Sequence, residues 1–196
     1  MRTDSVPVVG WRLWVLSRDQ LRSWAVPYVW HPGENRAECL ADRAPRCRYS
    51  PGTGCSCGFW ALWTPSAVAS RARTGSHDLV TGLAAGWGTV AIHGSEGFRA
   101  ERARILCLFE DWLWDRHSRP SSVREAKWLS RGLRWLTSSH PLFSEPMDSQ
   151  TVHNVAEAYG VPVLSLGEAF RKGVLSEFGI SQAAIDELRE WERVMA

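Results

Sequence analysis

A chain of 196 residues with 44% hydrophobic and 22% charged residues holds enough apolar material to bury a real core, and it carries no long low-complexity run. Twenty-three basic side chains against 21 acidic ones leave a formal net charge of +2, so no global field draws it to nucleic acid or to an anionic membrane. No stretch approaches the roughly 20 apolar residues of a membrane-spanning helix, and the start MRTDSVPVVGWRLW lacks the apolar core of a secretory signal, which predicts no membrane partner and a cytoplasmic location.

Residues 8–109 read as short strands separated by turns. GWRLWVLS and LRSWAVPYVW are runs of aromatic and β-branched residues, and HPGEN marks the turn after them. RAECLA is a further short strand candidate. A loop rich in Cys, Pro, Gly and Ser follows, then GFWALW, then the polar segment SRARTGSHD. WGTVAIH and FRAERARI form a predicted hairpin around GSEG, whose residues tolerate positive φ. Gly82, Gly86 and Gly88 suit strand bends or close backbone approach in a small curled sheet.

Residues 110–137 turn helical after a break at Pro120, with Arg124, Lys127, Arg131 and Arg134 forming a basic stripe on one helix face. Residues 138–150 read as a linker. Residues 151–196 read as helices with clear punctuation: Gly160 and Pro162 stop the first, VPVLSL allows one strand, Ser165 with Glu168 opens LGEAFRKGVLSEFG, and Ser181 caps the last. The expected class is α+β, a small curved antiparallel β domain carrying a zinc-stapled loop and followed by C-terminal helices.

The chemistry concentrates in the cysteines. Cys39, Cys47, Cys55 and Cys57 fall within nineteen residues of a loop too polar to be core. In a cytoplasmic setting thiols serve as metal ligands more often than as disulfides. Thiolates are soft donors suited to zinc in a closed tetrahedral site, and a metal there would order a loop that has little apolar surface of its own. The C-x-C unit is not the C-x-x-C pair of common fingers and ribbons, and His31, His77 and His93 are candidate replacements for one of the thiols. The alternatives are ordinary half-buried thiols and a reactive thiol centre. Cys107, inside RILCLFEDW, reads as core.

The segments GWRLW, VWHPGE, AEC, CSCGFWAL and GTVAIHGSEGFRAERARI follow one another over roughly residues 10–109. Their order resembles a group of uncharacterised bacterial proteins, chiefly actinobacterial. That group shows a W-x-P-G turn, a lone Cys, a His followed after seven residues by C-x-C-G-aromatic-Ala, and a G-x-V…H-x-x-G-aromatic-R-A strand pair. The resemblance matches Cys39, Cys55 and Cys57 to the group's cysteines and puts Cys47 where the group has histidine. A His-to-Cys exchange keeps a zinc ligand, so the resemblance favours a metal site over a catalytic one. No activity is assigned to the group, and the resemblance implies a domain boundary, not a function.

Other constellations are weaker. His93 or Glu101 could do acid–base work, with Cys57 as a nucleophile and His77-Asp78 nearby, but the chain has no nucleophile elbow, P-loop, HExxH or GxGxxG. Twelve tryptophans mean heavy aromatic packing, a ligand-facing wall, or both. Trp60, Trp63 and Trp87 are candidates to wall a pocket for a cationic or planar molecule. Phe98, Arg99, Arg102 and Arg104 offer an aromatic and basic strip suited to nucleic acid, with the helix stripe beside it. Trp191 and Phe170 would anchor a protein partner if exposed. The function expected from the sequence is a non-enzymatic binding or adaptor module with structural zinc, its partner a protein or a nucleic acid; the alternative is a small enzyme with a Trp-lined pocket.

Overall fold

The computed structural model describes residues 6–40, 46–72, 79–111 and 149–195. The basic stripe Arg124, Lys127, Arg131 and Arg134, His77 and most of the expected linker lie outside them.

β1 (Val8–Ser17) carries the WRLWVL run and turns tightly into β2 (Gln20–Ser23), with Ser17 paired to Gln20. The two turn residues, Arg18 and Asp19, both take positive φ (52° and 60°), the geometry that matches the twist of a two-residue hairpin. β3 (Asn35–Arg36) overlaps the expected RAECLA strand at Arg36 alone and takes Asn35 from the HPGEN turn, and β4 (Phe59–Leu62) lies within GFWALW. The hairpin around GSEG is longer than the sequence suggests: β5 (Leu79–His93) and β6 (Gly97–Phe109) pair along almost their whole length. β7 (Val163–Leu164) adds to β6 in parallel at Leu108 and Phe109.

These strands make one antiparallel-dominated sheet that curls on itself. β1 pairs with β5, β5 with β6, β6 with β4, and β4 returns to β1 at Trp11↔Leu62. The curl needs backbones in close approach. A Cβ on Gly86 would meet Ala100 Cβ and Phe98 at 2.6 Å, and one on Gly82 would overlap the Cys107 carbonyl. Gly88 does a different job: it takes φ 78° in the irregularity between Trp87 and Val90, where Glu101 accepts hydrogen bonds from the Thr89 N–H (3.2 Å) and hydroxyl (3.1 Å).

Helices cover both faces of the sheet. α1 (Pro65–Ala72) replaces part of what reads as a polar loop. It starts where Thr64 Oγ1 accepts the Ala67 N–H (3.3 Å) and Glu187 accepts the Ser66 N–H (2.6 Å), and it buries Val68, so a tertiary contact completes its N-terminus. α2 (Ser149–Tyr159) buries Val152, Val155, Ala156 and Tyr159, one face at helical spacing, and stops at Gly160. LGEAFRKGVLSEFG is two short helices, α3 (Leu166–Arg171) and α4 (Val174–Glu177), because Gly173 takes φ 74° between them. Ser165 caps α3 through the Glu168 N–H and Ser181 caps α5 (Gln182–Met195) through the Ala184 N–H. None of the described helices is long and apolar enough to cross a membrane.

Two large clusters form most of the core, with a small third one at Ala61, Phe98 and Ala100. Trp14, Leu21, Trp30, Ile105 and Leu108 pack with α2 on one side of the sheet. Trp11, Leu83, Cys107 and Phe109 pack with α1, α3, α4 and α5 on the other. Trp191 and Phe170 are partly buried against this second cluster, so the two expected partner anchors serve the intramolecular core instead. Tyr159 ties α2 to the sheet: its hydroxyl accepts the Leu21 N–H (2.9 Å) and donates to the Trp30 carbonyl (2.8 Å).

Candidate metal centre

Cys39 follows β3, Cys47 opens the loop, and Cys55 and Cys57 lead into β4, so the sheet itself delivers three of the four thiols to one place. All four Sγ atoms lie within 4.8 Å of one another, and Cys39 and Cys55 are 3.8 Å apart. A disulfide needs about 2.05 Å. A tetrahedral ion with sulfur ligands at about 2.3 Å has an edge of about 3.8 Å, the separation found here. The arrangement therefore holds room for one ion among four partly buried thiols.

The loop is built around those sulfurs. Cys55 N–H closes a turn on the Gly52 carbonyl (3.3 Å), and the Gly52 N–H donates to Cys57 Sγ (3.2 Å). A Cβ on Gly52 would overlap Cys47 Sγ and sit 2.8 Å from Cys47 Cβ, so only glycine leaves that sulfur its place. Gly58 ends the C-x-C-G unit at φ 114°, and a Cβ there would sit 3.1 Å from Arg99 Cβ and from Pro51 Cβ.

Arg99 is the clamp. It is 5% exposed, and its guanidinium donates to the carbonyls of Cys55 and Cys57 (the latter at 2.8 Å) and, through Nε, to His93 Nε2 (2.6 Å). Trp60 Nε1 donates to the Ser56 carbonyl (3.0 Å), so all three carbonyls of the C-S-C unit are held. The Trp60 ring lies 4.5 Å from His93 and 5.4 Å from the Arg99 guanidinium. A buried guanidinium beside the loop also sets positive charge near four sulfurs that must ionise to bind a metal.

Crowded thiols cannot all ionise together. Shared hydrogen bonding with Cys55, followed by burial and by Cys39 and Cys57, pushes the Cys47 thiol up to about 12. Burial would raise Cys57 too, but the neighbouring Ser50 side chain and the Gly52 N–H outweigh it and hold Cys57 below the usual thiol range. Cys107 stands apart, fully buried, with burial pushing its thiol up to about 12; it is core, as its sequence context predicts.

The remaining candidates resolve by placement. His31 is an exposed turn residue whose backbone N–H and carbonyl are held by Asn35, and the described metal-ligand set contains no histidine. His93 accepts from Arg99, and Glu101 braces the β5 irregularity while facing Arg36 at 3.6 Å. The Thr89 N–H and hydroxyl, with Arg36 and Arg102, hold the Glu101 carboxyl below its ordinary range despite some burial. The aromatic and basic strip is not continuous: Phe98 is 1% exposed under Trp63 and Arg99 points at the loop, while Arg102, paired with Glu34 at 3.1 Å, is partly exposed and Arg104 is exposed. On a strand covered on both faces, alternation ceases to separate inside from outside.

A cavity of about 360 Å³ opens beside the loop. Of the three expected wall tryptophans only Trp60 lines it; Trp63 packs on Phe98 and donates to the Gly94 carbonyl (3.1 Å), and Trp87 is elsewhere on β5. Its other aromatic walls are Trp11, Trp24, Tyr28 and Phe59, and the residue that sequence reasoning missed is Arg12. A single charge inside the apolar run GWRLWVL is the signal that could have found it. No family model matches the chain, and no curated protein or solved structure shows significant similarity to it.

Proposed function

We propose that Cys39, Cys47, Cys55 and Cys57 hold one zinc ion in a structural role and that the chain is a non-enzymatic binding module. The observation that carries the metal reading is the convergence of four Sγ atoms within 4.8 Å, with one edge at the length a tetrahedral thiolate site requires. Four thiolates leave no open coordination position, so the ion would order the loop and not activate a substrate. The resemblance of the motif, with Cys47 at a position where the similar group has histidine, supports a ligand role for that residue. The non-enzymatic reading is supported by His93 and Glu101, whose polar atoms are engaged in holding the loop and the β5 irregularity.

What the metal loop frames is the cavity: Cys55, Ser56, Cys57 and Gly58 line it. Stapling that wall keeps a recognition surface in place that the loop's few apolar contacts could not. The test is elemental analysis of the purified full chain together with Cys55→Ser and Cys57→Ser. About one zinc per chain is expected, with zinc and thermal stability lost in both variants. A metal-free wild type whose stability the substitutions leave unchanged would sink the proposal.

A further inference from the structure

The cavity beside the metal loop has an unusual floor. Arg12 is 8% exposed in the middle of β1, surrounded by Trp14, Trp30 and Ser23. Of the five N–H donors of a guanidinium, one bonds the Trp60 carbonyl and one the Ser23 hydroxyl (2.9 Å), while the buried Nε has no hydrogen-bond partner. The Trp30 ring lies 4.5 Å below the charge and Trp14 5.8 Å away. No carboxylate pairs with Arg12 among the described residues; every contact is a neutral dipole or a π face. A buried cation held this way is under-compensated and attracts an anion.

The cavity supplies the route. Arg12 and its two hydrogen-bond partners all line it, and its volume lies in the lower part of the range for small-molecule sites, roughly 300–1,000 Å³. Its rim carries Trp24 and Val26, which are 40% and 45% exposed, high for large apolar side chains. Glu38 also lines it and would oppose a ligand of high negative charge. A cationic guest would meet Arg12, so the Trp-walled cation pocket suggested by composition does not fit this geometry.

We propose that this cavity binds a small organic monocarboxylate with a flat, aromatic body, its carboxylate toward Arg12 and its ring against the walls formed by Trp24, Tyr28 and Trp60. The site deepens the binding-module reading, since one wall belongs to the cysteine loop. Burial lowers the Arg12 guanidinium only to about 9, so it is still charged at neutral pH and the attraction persists.

The test is calorimetric titration of the full chain, with its zinc content measured in the same sample, using naphthoate, naphthamide and inorganic phosphate. Naphthoate is expected to bind in the submillimolar range, naphthamide at least about tenfold more weakly, and phosphate not detectably. Arg12→Met should remove the preference for the acid over the amide. Trp24→Ala, at the exposed rim, should weaken both aromatic probes several-fold without unfolding the chain, and it decides the location if Arg12→Met fails to fold. Equal binding of acid and amide, phosphate binding as tight as naphthoate, or a folded wild type that binds none of them would overturn the proposal. A zinc-loaded chain that ignores naphthoate refutes this site alone; a metal-free chain that prefers naphthoate refutes the zinc reading alone.

Discussion

Gly52→Ala is the sharpest probe of the metal centre, because it replaces no cysteine. The added methyl would sit 2.8 Å from Cys47 Cβ and nearer still to its sulfur, where carbon contacts settle at about 3.5–4.0 Å. Relief requires the Cys47 side chain to move by about 1 Å. Metal–sulfur distances tolerate only about 0.2 Å, so Cys47 is lost as a ligand. A structural zinc is worth about 10–16 kcal/mol, or roughly 2.5–4 kcal/mol for each of four thiolates, which at about 1.4 kcal/mol per decade weakens zinc about 10²–10³-fold. Competition with a zinc chelator of known affinity measures this, and thiol labelling of the loaded protein should expose one additional cysteine. Gly54→Ala is the matched control: Gly54 has φ 75° but nothing within 4 Å of an added Cβ, so it should cost about 1 kcal/mol of backbone strain and leave zinc affinity alone. If Gly52→Ala binds zinc as the wild type does, with all four thiols protected, the methyl is accommodated without displacing Cys47 and the geometric reasoning fails.

Arg99→Lys keeps the charge but loses the fork that reaches two carbonyls and His93, and it should cost about 2–4 kcal/mol in urea unfolding; a change below about 0.5 kcal/mol would show that Arg99 does not clamp the loop. Tyr159→Phe leaves the buried Leu21 N–H without its acceptor and should cost about 1–3 kcal/mol by the same assay, whereas unchanged stability would mean that α2 is held by packing alone. Glu101→Gln tests the pH dependence. The folded carboxyl titrates below its ordinary value, so its contribution is complete above about pH 4.5 and is lost as the pH falls through the folded value. The urea midpoints of wild type and variant should therefore differ at neutral pH and converge in acid, and a gap that stays constant would refute the role assigned to Glu101.

Much of the architecture was legible because it rests on local chemistry. A run of aromatic and β-branched residues marks β1, the aromatic and apolar run GFWALW marks β4, GSEG marks the long hairpin, and Gly160, Ser165 and Ser181 mark helix ends by turn and cap geometry that involves only near neighbours. The cysteine set was legible for the same reason, since thiols within nineteen residues of one loop need little chain closure to meet. Tertiary structure alone decided what those elements face. α1 is helical because Glu187, far along the chain, completes its N-terminus, and Phe98 is core because the sheet curls over it. Arg99 reads as a surface base from its neighbours, yet folding turns it onto the carbonyls of Cys55 and Cys57. Arg12 reads as an interruption in an apolar strand, yet it becomes the cationic floor of a cavity. A side chain's role follows from what lies opposite it, and in a curled sheet covered on both faces that partner comes from strands and helices distant in sequence.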